Sequence, residues 1–465
     1  MKKLKGRVEK DSLGTRRVPA AAYYGIETVR AVENFPVSGL RFHPDFLWGL
    51  AAIKKACALA NRSLRRLDAR RADAIIRASG EVMAGKMRDQ FVTDALQSGA
   101  GVSIHMNMNE VITNRALEIL GRARGDHAYL HSHDHVNMGQ STNDVVPTAL
   151  RLAVLKISKD FAAASRHLEK ALLGKAREFK GVVKSGRTHL QDAAPVSLGQ
   201  EFGGWAHQLE KGRERLERLV EGMLELGIGG SAVGTGLNTS LRYRRKVIEN
   251  LRALTGSPVK SARDLFAVMQ NDADFAAVSG GLRDYALSLI QIANDLRLLS
   301  SGPNTGFGEI RLPALQPGSS IMPGKVNPVI PETAAQVGYQ VVGNDVAIAF
   351  AAASGECELN VMRPVIVHNL MQSFEILKNI LKILESRCVK GIKANVEKCR
   401  LHAENSFGIA AALNPFIGYS RAAECVKEAV ETGRTLREVV LAKGLLTGKQ
   451  LKKILSPEHL TQPPK

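Results

Sequence analysis

Ten residues, Gly318-Ser-Ser-Ile-Met-Pro-Gly-Lys325-Val-Asn327, hold the densest set of groups able to act on a small anion. Two adjacent hydroxyls, one ammonium and one amide lie among glycines with almost no bulk between them. A loop of this composition can fold over a small anionic substrate, because glycine tolerates backbone geometry closed to other residues. Asn327-Pro328 predicts a turn and Pro331-Glu332 suits a first helical turn, so the loop should open a helix. Free N–H groups at that helix start, with Lys325 and the hydroxyls, make a carboxylate site. An ordinary Gly/Pro surface loop is the plain alternative; Ser-Ser with Lys325 and Asn327 at this spacing argues against it.

Other stretches offer different chemistry. His131-Ser-His133-Asp-His135 alternates three imidazoles, which together can bind zinc. Gly227-Ile-Gly229-Gly-Ser-Ala232 has the glycines of a dinucleotide loop, but no βαβ pattern surrounds it and it lacks the Lys-Ser/Thr of a phosphate loop. No Gly-x-Ser nucleophile motif with a suitable triad order occurs.

These residues need a scaffold, and 465 residues can bury a large core, with a length prior of about three units. Hydrophobic residues make up 45% of the chain and aromatics only 5%, which with abundant Ala, Leu, Glu, Lys and Arg points to a helical protein. Short helices and loops are expected up to about residue 140, and long helices over 148–179, 197–226, 262–299, 332–353 and 365–389. Leu150, Leu152, Leu155, Phe161 and Leu168 mark one face of the first. Helices of this length belong to a bundle or an oligomeric core. Shorter helices follow around Asn414-Pro415, Gly433 and Gly444, ending in a polar tail.

Composition also excludes function classes. No apolar stretch approaches the roughly 18 to 20 residues of a membrane span. The basic start, Met1 to Arg7, has no apolar segment behind it and is not expected to be a secretory signal. Five scattered cysteines (Cys57, Cys357, Cys388, Cys399, Cys425) form no metal or disulfide pattern; buried thiols in a reducing cytoplasm are expected. A net charge of +19 invites nucleic-acid binding, as does the cluster from Arg62 to Arg71. That cluster is spaced like a solvated helix face without interleaved aromatics, so the charge is better suited to gathering anionic substrates.

The decapeptide resembles the signature of the fumarase/aspartase superfamily, and further matches run along nearly the whole chain. Tyr23-Tyr-Gly-Ile, Arg30-Ala-Val-Glu-Asn-Phe-Pro36, Gln140-Ser-Thr-Asn-Asp144, Gly186-Arg-Thr-His-Leu-Gln-Asp192, Gly234-Thr-Gly-Leu-Asn238, Asn360-Val-Met and Leu413-Asn-Pro-Phe-Ile-Gly418 all resemble segments of aspartate ammonia-lyases. The resemblance implies an all-α, mainly helical fold of three domains. These are an N-terminal domain over 1–141, a central long-helix bundle over 142–396 carrying loop 318–327, and a small C-terminal domain over 397–465. It further implies a cytoplasmic homotetramer with the bundle as its core and each active site built from three subunits. A small dicarboxylate or amino-acid substrate is expected, with no nucleic acid, no membrane, no bound metal and no required cofactor, a divalent cation being at most an activator. The histidine segment is then a loop leading into Ser141-Thr142.

The implied reaction is elimination of ammonia from aspartate. It needs a base at C3, donors for the charge that spreads into the neighbouring carboxylate, and departure of the amine from the opposite face. By resemblance Ser319 is the base, acting as an alkoxide. Lys325 and Asn327 hold the α-carboxylate, while Ser141, Thr142 and Ser320 hold the β-carboxylate. Asn143 and Thr188 contact the amino group with His189 alongside. In related fumarases the equivalent histidine pairs with a glutamate after the loop, which corresponds to Glu332.

Thr142, Pro328-Val-Ile-Pro331-Glu332 and Gly444-Leu-Leu-Thr447 resemble aspartases more than fumarases. Argininosuccinate and adenylosuccinate lyases share only the loop chemistry. Two departures stand out. Gly101-Val-Ser-Ile-His-Met-Asn107 replaces the Gly-Thr-Ser-Thr-Asn-Met-Asn of aspartases, so Val102 removes a hydroxyl from the β-carboxylate site. Ile104 and His105 are expected to make that wall more apolar and bulkier. Arg363 stands where aspartases carry Glu. Fumarate hydratase, or a lyase for a modified aspartate, is therefore the alternative.

Overall fold

A computed structural model describes residues 6–461. Residues 1–5 of the basic start and 462–465 of the polar tail lie outside the described residues. Of the described residues 64% are helical, and the strands among them pair only two at a time, so the fold is all-α as expected.

The chain forms two compact units. The first comprises the residues up to Ala162, Glu214–Asp284 and Gln340–Leu377; the second comprises Ala163–Arg213, Tyr285–Tyr339 and the residues from Lys378 onward. In the first unit a hairpin of β1 (Gly6–Asp11) and β2 (Gly14–Pro19) precedes α1 (Ile26–Asn34), α2 (Pro44–Ser63), α3 (Ala69–Met83) and α4 (Val102–Ile119). These helices are longer than the sequence suggested. In α2, with Ala51, Ala52 and Ala56 fully buried, and α4, buried from Ser103 to Asn114, the apolar and small residues do not confine themselves to one stripe. The arginine cluster is not one helix face either. Arg62 lies in the last turn of α2, Arg71 lies in the first turn of α3, and Asp68 caps α3 by accepting the Arg71 N–H at 3.0 Å.

Two of the family-like segments prove to be structural. The carboxylate of Glu110 on α4, 3% exposed, accepts N–H bonds from Gly25 and Glu27 at 2.8 Å each and from Thr28 at 3.1 Å. It thereby caps the start of α1, and a Cβ at Gly25 would sit only 2.7 Å from that carboxylate. Asn360, fully buried, donates to the Ala351 carbonyl at 2.8 Å and accepts from the Met362 N–H at 2.8 Å.

The long helices are α5 (Thr142–Glu178), α6 (Leu198–Val220), α9 (Ala273–Leu299), α10 (Val329–Ala352) and α11 (Arg363–Ile383). Between α6 and α9 lie α7 (Leu241–Thr255) and α8 (Leu265–Gln270). Helix α5 starts at Thr142 rather than Thr148, despite Pro147 inside it. Proline cannot donate to the carbonyl four residues back, Asn143. The Arg363 guanidinium takes that place, donating to the Asn143 oxygen at 3.2 Å. The expected helix over 262–299 is interrupted at Asn271 and Asp272, where Asn271 accepts the Ala273 N–H at 2.7 Å and the Asp272 carboxylate turns to Arg363. Helix α6 gives way to a 3-10 turn after Val220, short of the expected end at 226.

Arg363 therefore has an assignable role. It is fully buried, bonds both Asp272 oxygens at 3.2 Å and donates to the Met269 carbonyl at 2.6 Å. Arg363→Met strands the Asp272 charge and the Asn143 carbonyl, and is expected to cost about 3–5 kcal/mol. The check is the midpoint of thermal unfolding; an unchanged midpoint refutes this role.

In the second unit, hairpin β3 (Val183–Thr188) and β4 (Gln191–Ser197) joins the C-terminal helices α12 (Val396–Asn405), α13 (Ala410–Ile417), α14 (Tyr419–Thr432), α15 (Leu436–Ala442), α16 (Gly448–Ile454) and α17 (Pro457–Leu460). Capping boxes at Thr435/Glu438 and Thr447/Gln450 start α15 and α16, whose Val439, Val440 and Leu451 pack with Leu413 and Cys425. Four cysteines are buried as expected, but Cys357 is exposed, at φ +47° in a tight turn where its side chain projects outward. Among the described residues no helix is long and apolar enough to cross a membrane.

Candidate active site

The loop from Gly318 to Asn327 is closed at its neck. Gly318 N–H donates to the Lys325 carbonyl at 2.8 Å, and the Asn327 amide donates to the Gly318 carbonyl at 2.7 Å. A Cβ at Gly318 would lie 2.8 Å from the Asn327 nitrogen, so only glycine permits the closure. Gly324, at φ +80°, turns the chain back toward Lys325.

Inside this ring the Ser319 oxygen accepts two backbone N–H bonds, from Ile321 at 3.2 Å and Met322 at 3.0 Å. Donors of this kind favour the charged form of an oxygen acid. Ser320 and Lys325 are exposed, and among the described residues the Lys325 ammonium has no bonded partner, which leaves it available to an anion. Asn327 has a structural duty at the neck, with a second amide N–H remaining. Glu332 lies in the first turn of α10, directly after the loop.

Thr188 and His189 sit at the tip of the β3–β4 hairpin. Thr188 pairs with Gln191, leaving a two-residue turn in which His189 and Leu190 take φ +57° and +61°. Both central residues with positive φ are the signature of a type I′ turn, which here holds the His189 ring in solvent. The base of the hairpin is fixed by buried Glu309, which receives Arg187 at 2.8 Å and Lys184 at 3.2 Å and pairs with His402 at 2.8 Å. Burial opposes ionisation of Glu309, but the Arg187 hydrogen bond and the Lys184 and His402 contacts hold its carboxyl below the usual range. Among the described residues no hydrogen bond joins His189 to Glu332.

In the first unit, Ser141, Thr142 and Asn143 are half-buried at the start of α5, where the helix dipole favours an anion. Ser141 Oγ accepts the Asn143 N–H at 3.3 Å, which leaves the Ser141 proton to donate outward. The Asn143 amide donates to the Ala232 carbonyl at 2.7 Å. Fully buried Asp144 accepts the N–H groups of Ser141 at 3.0 Å, Gly229 at 3.0 Å and Ser231 at 2.9 Å. The glycine loop that resembles a dinucleotide site thus has its N–H groups committed to an internal carboxylate.

Val102 starts α4 and is 44% exposed, lining a cleft of about 750 Å³ with Arg30, Ser98, Ser103, His131 and His133. Ile104 and His105 do not form this wall. Ile104 is fully buried, and His105, 1% exposed, bonds Thr142 Oγ1 at 2.7 Å through Nδ1 and the ammonium of buried Lys54 at 2.6 Å through Nε2. The three alternating imidazoles have separate partners. His131 accepts from the His133 and Asp134 N–H groups, His135 from that of His131, and His133 bonds Glu27 at 2.6 Å. Among the described residues no three His, Cys, Asp or Glu side chains are grouped to hold a metal ion.

Lys54, Asn137 and Gln140 are the polar residues near the site that sequence reading missed. The available signal was the Lys54-Lys55 pair set between the apolar runs Leu50–Ile53 and Ala56–Ala60, since a helix apolar on both sides of the pair tends to bury one of the two, and a buried charge needs partners.

The chain is similar to known proteins over nearly its whole length. Residues 14–343 match the lyase family model and residues 409–462 the fumarase C C-terminus model. An aspartate ammonia-lyase from a Bacillus species is 46% identical over 457 residues, covering 98% of each chain. The structure of a fumarate lyase:delta crystallin from Brucella melitensis bound to cobalt superposes with a TM-score of 0.96 at 48% identity, covering 99% of this chain and 100% of the other. That of a class II fumarase from Schistosoma mansoni superposes with a TM-score of 0.93 at 36% identity, over 97% and 98%. With the family model spanning most of the chain and the loop, hairpin and α5 start folded as described, this chain belongs to the lyases of the fumarase/aspartase superfamily.

Proposed function

We propose that this carbon–nitrogen lyase is an aspartate ammonia-lyase, releasing ammonia and fumarate from L-aspartate. The observation that carries the reading is the Ser319 oxygen, held by two N–H donors inside a neck-closed loop that also carries Lys325. A serine is a poor base unless its surroundings favour the alkoxide, and these donors do so.

Ser319 Oγ takes the C3 proton, and the electron pair enters the adjacent carboxylate to form an enediolate. Collapse of the enediolate forms the C2–C3 double bond while the C2–N bond breaks and the amine departs. Lys325 and Asn327 grip the α-carboxylate, whose charge stays constant. Ser141, Thr142 and Ser320 donate to the β-carboxylate, where charge grows, each worth roughly a hundredfold in rate. Asn143 and Thr188 bind the amino group, and His189, supported by Glu332, stands beside it.

The reading includes a cytoplasmic homotetramer with sites completed by three subunits and three domains divided near residues 141 and 396. Exposed Tyr339, Val346 and Phe350 on α10 support such an assembly. Nucleic acid, membrane and a required cofactor have no part in it. The test is incubation with L-aspartate, reading fumarate by ultraviolet absorbance and ammonium in the same sample. Equimolar release supports the reading, and release of neither rejects it.

Exposed Val102, where a hydroxyl donor is expected, favours a second reading, a lyase for a modified aspartate. With aspartate as substrate, Val102→Thr restores one donor to a carboxylate and should raise kcat/KM about tenfold. A fall for aspartate would favour the second reading.

A further inference from the structure

A buried chain of polar groups runs from Lys54 to the Thr142 hydroxyl, and its geometry makes Thr142 sensitive to the charge on Lys54. The Lys54 nitrogen, fully buried on α2, contacts Asn137 Oδ1 at 2.9 Å, Gln140 Oε1 at 2.8 Å and His105 Nε2 at 2.6 Å. The amide orientations are fixed. The Asn137 nitrogen donates to the Gln140 carbonyl at 3.3 Å, and the Gln140 nitrogen donates to the Val136 carbonyl at 3.0 Å. Both amide oxygens therefore face Lys54 and can only accept.

Two Lys54 N–H bonds go to these oxygens whatever its charge. The third position decides the rest. As an ammonium, Lys54 donates its remaining proton to His105 Nε2. A neutral imidazole then carries its proton on Nδ1 and donates it to Thr142 Oγ1. The Thr142 proton must point elsewhere, toward the start of α5 where the β-carboxylate is placed. As a neutral amine, Lys54 presents a lone pair to a protonated Nε2. Nδ1 then accepts from Thr142, and the hydroxyl no longer donates to the substrate.

We propose that His105 is a positioning residue that couples the proton on buried Lys54 to the direction of the Thr142 hydroxyl, so that the ammonium form is the one competent to bind the β-carboxylate. This rests on the reading of Thr142 as a substrate ligand. The groups that bear on the pair come from every packed element. Cys57 on α2 stays a thiol, its pKa pushed up to about 12 by burial. Asp144 on α5 is raised to about 6 by burial against its three N–H bonds. His133, bonded to Glu27, faces His105 from the histidine turn, and Tyr243 on α7 bonds Cys57. Burial lowers Lys54 to about 7, with Cys57 and Asp144 opposing the fall. Burial, then the Lys54 charge, keeps His105 neutral by holding it well below the usual imidazole range.

Lys54 loses its proton as pH rises through its folded pKa, so substrate capture is lost on the alkaline side. The bound carboxylate's negative charge holds the ammonium, so the limb in kcat lies at higher pH than that in kcat/KM.

The test measures kcat/KM for L-aspartate from about pH 6 to about pH 9 in the wild type, His105→Asn and Thr142→Ala. The wild type should fall about tenfold per pH unit along an alkaline limb that is absent in His105→Asn, whose amide cannot exchange tautomers. The same limb in His105→Asn, or no limb in the wild type, overturns the proposal. Thr142→Ala with wild-type kcat/KM would instead remove the underlying reading of Thr142. Should His105→Asn not fold, Lys54→Met takes its place, with the same loss of the limb expected and its persistence overturning the coupling.

Discussion

Ser319→Ala is expected to lower kcat about 10³- to 10⁴-fold, with KM for L-aspartate nearly unchanged. The proton at C3 is barely acidic, so removing the base removes the step itself rather than substrate binding. The loop should survive the substitution. Its neck is tied by Gly318, Lys325 and Asn327, none of which uses the Ser319 side chain. The Ile321 and Met322 N–H groups that Ser319 accepts are exposed and can turn to water. Steady-state kinetics give the answer. A variant retaining more than about a tenth of wild-type kcat would show that another group takes the proton.

Lys325→Met should act differently. Its ammonium is exposed and unpaired among the described residues, so its loss disturbs no internal contact. A charge-assisted bond to a carboxylate is worth about 1.5–3 kcal/mol, which predicts a loss of about 10- to 100-fold in kcat/KM. Because the α-carboxylate keeps its charge throughout the reaction, the loss should appear in KM with kcat largely preserved. An unchanged KM with a collapsed kcat would place Lys325 on the carboxylate where charge grows. The pair of variants therefore separates the base from the substrate grip.

Much of this was legible in the sequence because it depends on local composition. The loop from Gly318 to Asn327 declared itself through two hydroxyls, a cation and its glycines, and the structure folds it as one ring. The long helices were legible through periodicity over many turns. What escaped depends on partners distant in sequence. Helix α5 was expected only from residue 148, and nothing local reveals that Arg363 supplies to Asn143 the donor that Pro147 lacks. Lys54 and His105 lie on different helices, so a change that reads as a bulkier cleft wall proves to be an internal bond. Helices α2 and α4 were underestimated because they are buried over too much of their circumference to show a single apolar stripe. Exposed Cys357 was missed because its tight turn, not its residue type, puts it in solvent.

The most direct test of the central claim is the ratio of kcat/KM for L-aspartate to that for L-malate, both read as fumarate formation, with Ser319→Ala as the blank. The account predicts turnover of aspartate, little or none of malate, and a flat trace for the variant with either. Efficient turnover of malate with none of aspartate would contradict it and make the protein a fumarate hydratase.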